Sequence, residues 1–245
     1  MKEEELKIKG ETIPIIIKSF RTSKSVKIFF KKGKVIITKP TRLSYREVNK
    51  IINENIDLIY DSYKKGMEKY LSSVKTWNTG ESIYYKGSVF EIIREFRDIK
   101  RASITIDESN QKMLVILPKM AKDEDAIKQA IDSGIKELFK NNTKYILQEK
   151  LPYWSDITRI EYNNYAVRDA VTRYGSCVKK TKSLRFSSRL IMLPGEVVDA
   201  IIVHELCHIV YNNHSKDFYN LVKTYIPNYK EIDRWLKKNS KAILI

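Results

Sequence analysis

The chain has 245 residues and a net charge of +16, and its apolar fraction of 42% is that of an ordinary folded protein. Its apolar runs are short and interrupted, so no membrane-spanning segment is predicted. The only cysteines, Cys177 and Cys207, are too few for a disulfide framework, and the acidic opening segment lacks the apolar core of a secretory signal. We therefore expect a cytoplasmic protein without a membrane partner. A basic surface attracts polyanions such as nucleic acid, but the lysines here are scattered among Asn and Glu, which favours a solvated coat over a specific binding site.

The first half of the chain is predicted to be rich in β-structure. Strands are predicted from β-branched and aromatic runs at 13–18, 26–30, 35–38, 82–85, 89–93, 102–106 and 113–117. Ser44 stands three residues before Glu47, the spacing of a capping box, and a helical apolar pattern continues from there to Ile59. Residues 1–120 are therefore predicted to form a β-rich region with one long helix.

The second half is predicted to be mainly helical. Helical periodicity runs from 123 to 150, and three further helices are predicted at 194–211, 215–225 and 229–238. Short strands are predicted at 159–162, 166–168 and 184–186. No internal repeat is apparent in the sequence. The whole pattern predicts an α+β protein, with a second domain over residues 121–245.

The segment His204-Glu205-Leu206-Cys207-His208 lies inside the predicted helix 194–211. Residues four apart share one helical face, about 5–6 Å apart between Cβ atoms, so both imidazoles can reach one ion. Glu205 is one step around the helix, where it can act on a metal-activated water without being a ligand. The pattern predicts one zinc ion per chain, with Glu205 as the general base of a hydrolase.

A catalytic zinc needs a third protein ligand. His214 is the only other histidine in the chain, and a turn after the helix can bring it back while Ser215 caps the next helix. Glu231, or Asp233 on the same later helix, is the alternative ligand. We take His204, His208 and His214 as the predicted ligands, although three imidazoles also accept manganese, iron or nickel.

Other residues near the motif are assigned smaller roles. Arg173, Tyr211 and Tyr229 are candidates for contacts with the substrate or its oxyanion. Cys207 is predicted to be a small buried residue. Four residues are predicted to be core side chains beneath the closing helices: Phe218, Leu221, Val222 and Trp235.

The spaced blocks of this region resemble the YgjP-like metallopeptidase family, whose members are related to SprT-like proteins. The blocks are Arg173-Tyr174-Gly175-Ser176-Cys177, Leu184-Arg185-Phe186, His204-Glu205-Leu206-Cys207-His208, Asn213 to Phe218, and Trp235-Leu236. The family motif reads R-W-G-S-C, so Tyr174 replaces a tryptophan here. The resemblance implies a zincin-like minimal metallopeptidase domain over residues 121–245, with the same three histidines as ligands.

Three functions are compatible with these residues. The first is a zinc metallopeptidase acting on a peptide or protein through a metal-activated water. The second, also described for relatives, is a metal-dependent nucleoside triphosphate pyrophosphatase, since the same chemistry can attack phosphorus. The third is a nucleic-acid-associated zinc protein without catalysis, against which Glu205 argues because a structural site needs no base.

Overall fold

The structure is a computed structural model that describes residues 2–31, 33–73 and 75–243. Contacts between Cα atoms divide the chain into two compact units, Met1–Val74 and Lys75–Ile245. The division falls earlier than the predicted boundary near residue 120, because the strands between residues 82 and 118 share one core with the helices that follow them. The assignment of residues 121–245 as the catalytic domain stays a prediction.

The first unit is a four-stranded sheet with two helices. Its elements are β1 (Lys2–Ile8), β2 (Glu11–Phe20), β3 (Lys27–Lys31), β4 (Lys34–Pro40), α1 (Tyr45–Glu54) and α2 (Ile56–Ser73). The sheet order is β1-β2-β4-β3, with β2 and β4 parallel and the other pairs antiparallel. Successive side chains of a strand point to opposite faces, so Ile13, Ile15 and Ile17 enter the core with the apolar side chains of α1 and α2.

The predicted capping box begins α1. Ser44 Oγ accepts a hydrogen bond from the backbone N–H of Glu47 at 3.2 Å, and the Glu47 carboxylate accepts one from the Ser44 N–H at 2.8 Å. The predicted single long helix is two helices, because Asn55 leaves helical backbone angles at φ −117° and ψ 22°. The Asn55 side-chain amide donates to the Ile51 carbonyl at 2.8 Å, which satisfies an acceptor at the end of α1.

The second unit opens with the same arrangement. Its first elements are β5 (Ser82–Tyr85), β6 (Ser88–Arg97), β7 (Ser103–Asp107), β8 (Lys112–Pro118) and α3 (Glu124–Thr158). The sheet order is β5-β6-β8-β7, with β6 and β8 parallel and the other pairs antiparallel. The two units therefore share one topology of four strands followed by helix, a repeat that the sequence analysis did not detect.

The repeat extends to turns and register. Lys9-Gly10 joins β1 to β2 with φ values of 50° and 81°, and Lys86-Gly87 joins β5 to β6 with φ values of 48° and 82°. Counting from these turns, Ile15 corresponds to Ile92, and both pair with the second residue of the parallel neighbouring strand. The two copies thus place corresponding side chains on corresponding faces.

A small sheet and three helices complete the second unit. They are β9 (Asn164–Arg168), β10 (Gly175–Val178), β11 (Ser183–Ser187), α4 (Gly195–Val210), α5 (Lys216–Tyr225) and α6 (Tyr229–Ile243). The sheet order is β10-β11-β9, so β10 lies at an edge. Ten of the 16 residues of α4 are buried, which makes it the central helix of this core.

Three sequence predictions differ from the structure here. Helix α3 continues past residue 150 to Thr158, and Arg159 ends it in the left-handed conformation at φ 57°, so 159–162 is not a strand. Strand β10 was not predicted, because its residues do not alternate between apolar and polar. Trp235 is 36% exposed and is not a core residue, whereas Phe218 and Val222 are fully buried as predicted.

Within the described residues, no helix combines the length and the apolar character needed to cross a membrane.

Candidate metal centre

The site is built on α4, where His204 and His208 lie one turn apart. Both side chains are half-buried, and their ring centroids are 4.7 Å apart. After α4 ends, the chain turns and Ser215 caps α5, its Oγ accepting a hydrogen bond from the Phe218 N–H at 3.3 Å. This turn carries His214 back to the first two histidines, as the sequence predicts.

The three imidazoles converge through the same ring atom. The Nε2 atoms of His208 and His214 lie 3.1 and 3.2 Å from Nε2 of His204. Zinc–nitrogen bonds of about 2.0–2.1 Å in a tetrahedral site separate ligand atoms by about 3.3–3.4 Å. Among the described residues, His204, His208 and His214 are the group that could hold a metal ion; the alternative ligand Glu231 is exposed and outside it.

Hydrogen bonds on the outer ring nitrogens orient two of these imidazoles. His208 Nδ1 is 3.0 Å from the Tyr211 carbonyl oxygen, which can only accept, so Nδ1 carries the proton. His204 Nδ1 is 2.7 Å from the Tyr229 hydroxyl, which can accept in the same way. Both Nε2 atoms then present lone pairs to each other, an arrangement that a cation between them would stabilise.

The electrostatics favour neutral imidazoles. Burial, with the neighbouring His208 and His214, lowers the pKa of His204 to about 3. Burial also lowers the pKa of His208. A neutral imidazole is the form that binds a metal ion, so the environment of these residues fits a divalent cation.

Phe218 packs against the imidazole rings of all three histidines. This fully buried side chain stacks on His208 with centroids 4.5 Å apart, and its ring meets those of His204 and His214 edge-on at 4.9 and 5.0 Å. Because Phe218 follows the N-cap Ser215 within α5, one helix start positions both this ring and His214. Phe218 is a core residue as predicted, and its contact with all three histidines is an addition from the structure.

Glu205 is buried beside the histidines. Glu205 is only 5% exposed, and its Oε2 atom has no hydrogen-bond partner among the described residues. Burial raises the pKa of this carboxyl group to about 8, against an opposing effect of the Arg173 charge. A buried carboxyl with a free oxygen is suited to hold and return a proton.

Gly175 on the edge strand β10 makes room for this carboxyl group. A Cβ atom at residue 175 would lie 2.5 Å from Glu205 Oε1 and 2.6 Å from its Cγ. Only glycine therefore lets β10 pass this close to α4. No role for Gly175 follows from the sequence alone; a glycine within a short polar block is the signal that could have indicated one.

Two cavities meet at Gly175, His204 and Glu205. One, of about 190 Å³, extends toward α6, and its further lining includes Tyr174, Ile201, Tyr229, Ile232, Asp233 and Leu236. The other, of about 400 Å³, is lined in addition by Arg173, Ser176, Cys177, His208, Asn212 and His214. Glu205 therefore lines both cavities.

The three candidates for substrate contact are placed differently. Arg173 lines the larger cavity, where its guanidinium acts on Glu205. Tyr229 lines the smaller cavity, but its hydroxyl already contacts His204 Nδ1. Tyr211 contributes its backbone carbonyl to His208. Tyr174 was not among the candidates, yet its buried hydroxyl lacks a hydrogen-bond partner at the same smaller cavity.

An α+β domain with an H-E-x-x-H helix and a third histidine beyond it is the arrangement of a minimal metallopeptidase. Residues 24–239 match the family described as YgjP-like, metallopeptidase domain, and the chain belongs to that family. The family match confirms the predicted resemblance and fold class. It also spans the predicted boundary near residue 120 and the division at Val74.

Comparisons with individual proteins are more limited. The chain is similar to the crystal structures of two metallopeptidase zymogens, abylysin of Pyrococcus abyssi and jannalysin of Methanocaldococcus jannaschii. Each is 23% identical with a TM-score of 0.35, over 38% of this chain and 93% or 94% of the other chain. No curated protein matches the chain.

Proposed function

We propose that this chain is a zinc-dependent peptidase in which His204, His208 and His214 hold one zinc ion and Glu205 is the general base. The observation that carries the proposal is the convergence of three Nε2 atoms beside a buried carboxyl group with an unpartnered oxygen. A purely structural zinc site has four protein ligands and needs no such base.

A bound zinc ion supplies a Lewis acid that lowers the pKa of water and polarises the bond to be cleaved. A cation held by the three histidines would favour the ionised form of Glu205 despite its burial. The carboxylate would then accept the proton of the attacking water on its free oxygen and deliver it to the leaving nitrogen. Tyr229 and the Tyr211 carbonyl keep the imidazoles of His204 and His208 in the orientation that ligation requires. The Arg173 guanidinium at the larger cavity can bind a substrate carboxylate or carbonyl oxygen.

The position of β10 at the edge of its sheet favours a peptide as the substrate. It pairs with β11 on one side only, through the pairs from Gly175↔Phe186 to Val178↔Ser183. An extended peptide can add to such an edge through main-chain hydrogen bonds. Because Gly175 on this strand touches Glu205, a peptide paired there would run beside the general base.

The test compares wild type with Glu205→Gln, after the metal content of each protein has been measured. Unfolded casein and a panel of nucleoside triphosphates are the substrates. We expect wild type to cleave casein and Glu205→Gln to lose about 10²–10⁴-fold of that rate with its zinc retained, the range for a general base. The matched control is Glu196→Gln, an exposed glutamate in the first turn of the same helix, which should keep full activity.

Two results would contradict the proposal. Casein cleavage that persists in Glu205→Gln would remove Glu205 from the mechanism. Release of pyrophosphate from a nucleotide without any cleavage of casein would make the chain a nucleotide hydrolase that uses the same residues.

A further inference from the structure

The first unit carries a long stretch of one charge sign. Residues 12–46 contain ten Lys or Arg residues and no Asp or Glu. This stretch includes β3, β4 and all but the first residue of β2, so much of the charge lies on the sheet. A concentration of positive charge on one surface attracts polyanions.

The strand register gathers part of this charge on the sheet face opposite the helices. Lys27 and Lys31 are exposed at the two ends of β3, on the same face. Lys18 of β2 and Lys27 of β3 both pair with Thr38 of β4, so the three residues form one row across the sheet. Lys31 of β3 pairs with Lys34 of β4 in another row. Residues two apart on a strand are separated by about 6.8 Å, so two rows containing lysines flank a central row.

The central row is apolar and ends in an exposed aromatic ring. Phe29, Ile36 and Ile16 lie side by side across β3, β4 and β2. Phe29 is 41% exposed, in contrast to its neighbour Phe30, which packs against Tyr63 on the core side. We name Lys18, Lys27, Phe29, Lys31 and Lys34 the basic strip.

Acidic residues on this face are confined to the far edge of the sheet. Glu3 and Glu5 of β1 share the face, opposite Ile16 and Pro14 of β2. Glu3 reaches Lys34 at 3.9 Å, between two largely exposed side chains. The basic strip is therefore most positive along β3, which is the opposite edge strand.

The corresponding face of the second unit has a different character. With the repeats aligned by their turns and strand register, Lys18, Lys27, Phe29 and Lys31 correspond to Glu95, Ser103, Thr105 and Asp107. Of the basic strip, Lys34 alone corresponds to a lysine, Lys112. The topology is the same, so the fold does not require lysines and an exposed phenylalanine at these positions. The basic strip is a property of the first unit alone.

From this arrangement we propose that the basic strip binds single-stranded nucleic acid. The lysines contact phosphates, and the Phe29 ring offers a stacking surface to an unpaired base, whatever its identity. Bases inside a duplex are stacked on each other and cannot use that ring, so single strands are favoured over duplexes. The proposal does not depend on the metal centre.

The test uses the full chain and fluorescence anisotropy with labelled oligonucleotides of 20 thymidines or uridines. We expect a single strand to bind more tightly than a duplex of equal length, and binding to weaken with salt. Phe29→Ala, which leaves the charge unchanged, should weaken binding about tenfold, and Phe29→Tyr should restore it, since a tyrosine ring also stacks.

The charge contribution is tested with a matched pair of double variants. Lys27→Glu with Lys31→Glu should weaken binding about tenfold or more and lower the salt dependence, because two phosphate contacts are lost. Lys140→Glu with Lys144→Glu changes two exposed lysines of α3 by the same net charge and should have little effect. Circular dichroism melting confirms that each variant is folded.

Three results would overturn the proposal. The first is equal weakening by the two double variants, which would indicate general attraction to a basic protein. The second is unchanged binding in Phe29→Ala. The third is binding to vesicles of phosphatidylserine without binding to either oligonucleotide, which would assign the basic strip to an anionic membrane. Casein cleavage by the same preparations reports separately on the peptidase proposal.

Discussion

The two repeats have the same topology, but their first turns have different environments. In the second unit, the backbone N–H groups of Lys86 and Gly87 donate to the carbonyl oxygens of Ile191 and Met192 at 2.7 and 3.1 Å. Those acceptors immediately precede α4. In the first unit, the position of a Cβ atom at Gly10 has no neighbour within 4 Å among the described residues.

Under the two proposals, this difference indicates what each copy of the architecture contributes. The second repeat holds the start of α4, the helix of the proposed metal centre, through its β-turn, so we infer that it acts as a scaffold for that centre. In the first repeat, the described residues show no corresponding backbone hydrogen bonds from the turn, and the Lys9 side chain instead pairs with Asp57 of α2 at 3.0 Å. The distinguishing feature of this repeat is the basic strip on its sheet. Because the topology is the same, the two repeats are distinguished by what their turns contact and by the residues on their sheets.

The largest effect is expected from Gly175→Ala in the second unit. The new Cβ would force Glu205 to move, and a displacement of about 1 Å in a catalytic group costs on the order of 10²-fold in rate. Zinc content should stay unchanged, because the three atoms nearest to the new Cβ all belong to Glu205. Casein cleavage and metal analysis measure the two properties.

Gly195→Ala is the control for Gly175→Ala. Residue 195 is the first of α4, and a Cβ atom there meets no other described residue within 4 Å. This variant should keep full activity and normal stability. A Gly175→Ala protein as active as Gly195→Ala would show that Glu205 does not depend on the close passage of β10.

An intermediate effect, on stability, is expected from replacing the two turn glycines, Gly87 and Gly10, with alanine. Gly87→Ala adds a Cβ 2.8 Å from Pro194 Cα at a φ of 82°, so it combines a clash with backbone strain. Gly10→Ala adds the strain alone, about 1 kcal/mol for a residue forced into the left-handed region. We expect Gly87→Ala to destabilise the protein by about 2–4 kcal/mol, since overpacking adds about 1–3 kcal/mol to the strain.

Tryptophan fluorescence during urea unfolding suits the Gly87→Ala measurement, because Trp77, Trp154 and Trp235 all lie in the second unit. Hydrogen exchange of β1 and β2 measures Gly10→Ala. Equal losses of stability in the two variants would contradict the scaffold role of the Lys86-Gly87 turn.

The smallest effect is expected at the helix caps. Ser44 begins α1 and Asp123 begins α3, the latter accepting hydrogen bonds from the backbone N–H groups of Asp125 and Ala126. Replacing either residue with alanine should destabilise its helix by about 1 kcal/mol. Segment-resolved hydrogen exchange should show faster exchange in α1 for Ser44→Ala and in α3 for Asp123→Ala. Faster exchange in both helices from one variant would mean that the repeats do not open separately.

The sequence predicts those features that are encoded locally. The β-branched run at 13–18 identifies a strand, and Ser44 with Glu47 identifies a helix start. The three histidines can be assigned as candidate ligands because two lie four residues apart on one helix and the third is the only one left. In each case the information lies within a few residues of the element that it defines.

The features that the sequence did not predict depend on distant contacts. Gly175 matters only because Glu205, thirty residues later, packs against it. The repeat is hidden because corresponding residues have diverged; Ile17, for example, corresponds to Arg94. The early division of the chain follows from packing of β5 to β8 with α3, which periodicity within either element cannot reveal.

Zinc binding to metal-free protein, followed by calorimetry, tests the central claim most directly. We predict one zinc ion per wild-type chain and at least about a hundredfold weaker binding in His214→Ala, because removing a ligand should cost more than the 10–100-fold of an outer hydrogen-bond partner. Tyr229→Phe removes the hydroxyl beside His204 and should fall within that smaller range. Unchanged zinc affinity in His214→Ala, or a wild-type chain that binds no zinc, would contradict the proposed metal centre.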